Sequence, residues 1–116
     1  MNKILIEVSV GELLDKISIL EIKQEKIKDA ESLKFIEDEY KVLKSELDKN
    51  IKTDEKLKNL FNSLKEINSK LWVIEDDKRM CEKNKDFGEK FIKLSRDVHF
   101  LNDNRAKIKL EINNHT

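Results

Sequence analysis

Leu57, Leu60, Leu64, Ile67, Leu71 and Ile74 recur at alternating spacings of three and four, a row that can be buried together only as one face of an α-helix. The same alternation runs through Leu33, Ile36, Tyr40, Leu43 and Leu47, which is the seam pattern of helices packed side by side. With two glycines and no proline in 116 residues, little breaks such helices. Charged residues make up 41% and hydrophobic residues 38% of the chain, the profile of solvated helices with narrow apolar stripes. The sequence therefore predicts an all-α fold and one domain over residues 1–116, because a compact domain of this size already buries roughly two-thirds of its unfolded surface.

Capping chemistry sets the expected boundaries. Ile4-Leu5-Ile6-Glu7-Val8 is rich in β-branched residues and reads as a short extended arm over residues 1–8. With no strand partner elsewhere in the sequence, it must lie on the bundle or pair with another copy. Ser9 and Glu12 have capping-box spacing and open a helix over residues 10–29. On it Val10, Leu13, Leu14, Ile17 and Leu20 form one stripe, while Ile19 and Ile22 project from another side, so two neighbours are expected. Asp29 opens a helix over 30–49, Thr53 with Asp54 and Glu55 one over 54–83, and Asp86 with Glu89 one over 87–113. The third would be about 45 Å long. Short connections make neighbours antiparallel, giving two helical hairpins arranged as a four-helix bundle or an elongated coiled-coil-like pair.

Lysine and arginine together number 24, as do aspartate and glutamate, so no net field selects nucleic acid or an anionic membrane surface. No apolar run approaches the roughly 20 residues of a membrane span. The single Cys81 has no disulfide partner within the chain, which fits a reducing cytoplasm. His99 lacks a second histidine or cysteine at ligand spacing, and no Glu-x-x-His occurs, so neither a zinc site nor a di-metal carboxylate bundle is expected, and no cofactor is implied.

Arginine usage picks out one region. Of 24 basic residues only Arg79, Arg96 and Arg105 are arginine, all in the last third of the chain. A lysine-rich sequence that uses the planar guanidinium fork in one place points to bidentate contacts with carboxylate or phosphate there. Helical projection puts Asn68, Glu75, Arg79 and Glu82 on the apolar face of the third helix, Arg105 in the middle of the fourth helix's stripe with Asn102 at its edge, and Glu21 and Gln24 inward on the first. Glu75, Asp76, Glu82, Asp97 and Asp103 are the acceptors expected nearby. Trp72 lies at the stripe's edge, level with His99 across the hairpin, able to stack on a ligand ring or to seal the core. Two readings stay open: ion pairs fixing helix register, or an anion pocket for a phosphate- or carboxylate-bearing small molecule.

The stretches SVGELLDKISILEIK (9–23), LWVIEDDKR (71–79), FIKLSRDV (91–98) and NDNRAKIKLEIN (102–113) resemble a family of small bacterial and phage proteins catalogued as a domain of unknown function. The resemblance covers most of the chain and implies no activity, cofactor or catalytic residue. The positions that match it include Trp72, Glu75, Asp76, Arg79, Arg96, Asn102, Asp103 and Arg105, whereas Ser95 and His99 stand where the family favours alanine and tyrosine.

The expectation is thus a cytoplasmic helical interaction or assembly module rather than an enzyme, forming a homo-oligomer, in the simplest case a dimer, through the N-terminal segment and the face with Ile19 and Ile22, the charged second half presenting a partner or ligand surface. The alternative is a small ligand-binding protein or enzyme with an arginine-lined pocket.

Overall fold

The computed structural model describes residues 2–116. Four helices follow in order: α1 Val10–Lys26, α2 Ala30–Asn50, α3 Glu55–Lys83 and α4 Glu89–His115. The protein is all-α, as the periodicity predicts, and no strand forms among the described residues. Residues 2–9 lie outside the helices and are exposed.

Local chemistry fixes most helix ends. The Ser9 hydroxyl accepts from the Glu12 amide at 3.2 Å, Asp29 accepts from the Ser32 amide at 2.9 Å, and Asp54 accepts from the Leu57 amide at 2.8 Å. Two expectations need correction. The Glu12 side chain does not close the capping box; it reaches across to Lys109 on α4. Asp86 does not cap α4 either, because Lys85 enters the left-handed region at φ 53° and Asp86 accepts from the Gly88 amide at 3.2 Å, so Gly88 takes the N-cap position without a side-chain bond. Helix α1 stops at Lys26, where Ile27 turns extended and donates its amide to the Lys23 carbonyl. The C-terminal turn of α4 is not frayed: His115 Nε2 lies 2.8 Å from Asp54 Oδ2, joining the end of α4 to the start of α3.

Helix α1 is the hub of the packing. It lies against α2, α3 and α4, and α3 lies against α4, while α2 makes no close approach to α3 or α4. The expected two neighbours of α1 are therefore three. Leu14 and Ile17 of α1, Leu47 of α2, Leu57 and Leu64 of α3 and Ile112 of α4 form the central cluster. Ile22 is buried as well, so the second side of α1 is used inside the chain and is not a free surface. Three neighbours leave α1 only a narrow solvated strip, on which Lys16 is exposed, so Asp15 and Ser18 fall on covered sides of the helix and must find partners there.

Candidate functional site: a buried carboxylate between the first and last helices

Gly11, Asp15, Ser18 and Ile22 follow one another around α1 at helical spacing and are all buried. Asp15 is the centre. Arg105 of α4 donates from Nε to Oδ1 at 2.9 Å and from Nη2 to Oδ2 at 2.5 Å, a bidentate fork on a carboxylate that is only 5% exposed. Asn68 of α3 donates through Nδ2 to Asp15 Oδ1 at 2.9 Å and to the Ser18 hydroxyl at 2.8 Å. The Ser18 hydroxyl donates to the Asp15 carbonyl at 2.8 Å, and Lys109 Nζ sits 3.8 Å from Asp15 Oδ2. Three helices thus meet on one carboxylate, and among the described residues no buried side-chain nitrogen or oxygen lacks a partner.

The electrostatics follow from this geometry. Burial by itself would raise the Asp15 pKa, but hydrogen bonds from Arg105 and Asn68 and the charges of Arg105 and Lys109 outweigh it and hold the carboxyl below its ordinary value. The Asp15 bonds in turn raise the Arg105 pKa against the opposing effect of burial. A carboxyl whose pKa is lower folded than unfolded stabilises the fold above the unfolded value and loses that contribution as pH falls through the folded one. The urea midpoint should therefore be nearly flat from pH 7 to about pH 5 and fall below about pH 4. Asp15→Asn, measured over the same range, should show a shallower acid slope from a lower starting stability.

Close approach of α1 to α4 completes the site. The Gly11 amide, one of the first-turn donors that a helix leaves without an internal partner, donates to Asn113 Oδ1 at 2.7 Å. A Cβ on Gly11 would lie 2.6 Å from the Lys109 carbonyl oxygen and 2.9 Å from Asn113 Oδ1. On another side of α1, Glu21 accepts from the Tyr40 hydroxyl at 3.3 Å and from Lys65 Nζ at 3.1 Å, linking α2 and α3 through α1. Glu25 accepts from the same ammonium at 2.9 Å.

The arginine-rich region is distributed rather than gathered. Arg105 points inward, and its acceptor is Asp15 rather than any of the acids expected in the second half of the chain. Asn102 is exposed, with Oδ1 3.5 Å from Arg105 Nη1. Arg79 is exposed and paired with Asp76 one turn away on its own helix. Glu75 and Trp72 are partly buried, and Asp103 is exposed, 3.7 Å from His99 Nε2. Arg96 is exposed beside Ile92 and Phe100 in a shallow depression of about 360 Å³. Among the described hydrogen bonds and ion pairs, none joins Arg79, Arg96 and Arg105 to one another or to a shared acceptor.

Sequence reasoning missed Asp15, Ser18, Gly11, Lys109 and Asn113. The available signal was one of the chain's two glycines inside a helical pattern, on the same face as an aspartate and a serine.

Fold and site together define a small four-helix protein whose central helix is tied to the last by a buried charged network. The chain belongs to the family of unknown function DUF6165, which matches residues 4–116. No curated protein and no solved structure matches it. No helix among the described residues is long and apolar enough to cross a membrane.

Proposed function

We propose that the protein is a non-enzymatic helical assembly module of the cytoplasm that forms a homodimer through the segment preceding α1. One observation carries this reading: Ile4, Leu5 and Ile6 are 85%, 97% and 75% exposed, in a segment with no partner on its own bundle. Consecutive exposed aliphatic side chains on unpaired backbone are adhesive, and covering them is the simplest use for such a segment. The balanced charge favours a protein partner over nucleic acid. Light scattering on the intact chain should give the mass of a dimer, and on a chain lacking residues 1–8 that of a monomer. A monomer in both cases removes the reading.

An anion pocket built on the arginines is less well supported, because the most buried guanidinium is already held by Asp15 and an anion would have to displace a buried carboxylate. The thermal midpoint should accordingly be unchanged by inorganic phosphate and nucleotides, whereas a ligand at a hundred times its dissociation constant would add about 2.7 kcal/mol.

A further inference from the structure

Helix α2 is held to the molecule more lightly than its neighbours. It approaches α1 alone. Its apolar hold is Leu47, which enters the central cluster with Tyr40 and Leu43 packed against it, and Ile36 nearer its start. Its polar hold is a single bond: among the described residues, the Tyr40 hydroxyl donating to Glu21 at 3.3 Å is the one side-chain hydrogen bond or ion pair between α2 and another helix. Lys44 with Asp48, and Lys49 with Glu46, pair within α2 itself. The other three helices are cross-tied. Arg105 and Asn68 both hold Asp15, Lys65 holds Glu21 and Glu25, Lys109 holds Glu12, and His115 holds Asp54 at the cap of α3.

We propose that α2 is a flap that lifts off α1 as a unit while α1, α3 and α4 stay assembled around Asp15. The free energy of a local opening is set by the contacts between the moving part and the rest, and here those are one helix face and one long hydrogen bond. None of the bonds on Asp15 comes from α2, so opening leaves that network intact. Residues 27–29 and 51–54, which join α2 to α1 and α3, lie outside the helices, so the change of direction falls on these connectors. A detached helix of 21 residues is marginal in water, and α2 therefore loses its internal hydrogen bonds on lifting. Opening uncovers the buried side chains that share a cluster with Leu47, namely Leu14 and Ile17 of α1 and Leu57 of α3. The flap thus gates an apolar surface that the closed molecule hides.

Native-state hydrogen exchange on the full chain in low urea tests this. Amides from Ile36 to Leu47 should share one opening, with a smaller urea dependence than the amides from Leu64 to Leu71 of α3, and exchange about tenfold or more faster. Two variants separate the flap from other openings. Asn113→Ala weakens only the join of α1 to α4, so it should speed exchange in α3 by about fivefold and leave α2 unchanged. Tyr40→Phe breaks the tie that opening must break, so it should speed exchange in α2 by about fivefold. Equal free energy and equal urea dependence in α2 and α3 overturn the flap, as does an Asn113→Ala variant that speeds both alike. Exchange of α2 amides one by one from its ends, without urea dependence and unmoved by Tyr40→Phe, is fraying and overturns it too.

Discussion

Replacing Arg105 with leucine is expected to lower the stability of the fold by about 3–5 kcal/mol, because it leaves the Asp15 carboxylate buried without its bidentate partner. Lys109 cannot substitute: its ammonium is 3.8 Å from Asp15 and already engaged by Glu12. For a chain of this size the loss is a fifth or more of the stability a native domain has, about 5–15 kcal/mol. The thermal midpoint should fall by more than about 10 °C. Asp15→Leu combined with Arg105→Leu removes the charge and its counter-charge together, so the double variant should recover much of the loss and show a coupling of several kcal/mol in a double-mutant cycle. Urea unfolding of the four proteins decides the matter. A loss under about 1 kcal/mol in the single variant would mean that the pair is not a structural lock.

Gly11→Ala should also destabilise, against its helix propensity. Alanine inside a helix is favoured over glycine by about 1 kcal/mol, so at an ordinary position the substitution would help. Here the new methyl meets the Lys109 carbonyl at 2.6 Å, and a backbone atom cannot swing aside as a side chain can. Helix α1 would have to draw back from α4, stretching the Gly11 to Asn113 bond and loosening the fork on Asp15. A net loss of about 2 kcal/mol or more is expected from overpacking and the weakened bonds. Asn113→Ala, which keeps the close approach and removes only the acceptor, should cost about 1 kcal/mol. If Gly11→Ala proves stabilising, the two helices are not pressed together at this point.

Much of the helical framework was legible in the sequence because its determinants are local. Ser9 and Asp29 cap where their spacing says they should, the third helix starts within the expected Thr53–Glu55 stretch with Asp54 as its cap, and Ile36, Leu47, Leu57, Leu64 and Leu71 of the predicted seams are buried. Of the three arginines that the count singled out, Arg105 projects inward as its place in the apolar stripe predicts. Its acceptor was not legible, since a stripe drawn on one helix does not say how far that helix is rotated against another that lies 90 residues away. Asp15 was passed over because it follows Leu14 and reads as the solvated flank of an apolar stripe. A third neighbour covers that flank. Arg79 and Arg96 illustrate the converse: lying at the surface, one settles on Asp76 of its own helix and the other stays exposed, and residue type alone does not separate them from Arg105.

The hub position of α1 has a consequence for the order in which the chain can reach its native state. During synthesis α1 emerges before α2, α3 and α4, and its partners on three sides include α4, so Asp15 waits for Arg105 until all four helices are made. Until then a carboxylate and an amide-exposing glycine sit among Leu14, Ile17 and Ile22 with only α2 to cover them. The α3–α4 hairpin has a short connection from which its pairing can spread, whereas docking it on α1 closes long loops and should limit the folding rate. Substitutions at Asp15, Gly11 or Arg105 would then act mainly on that late docking step, and slowed refolding with exposed α1 would appear as aggregation before it appears as a lower melting temperature.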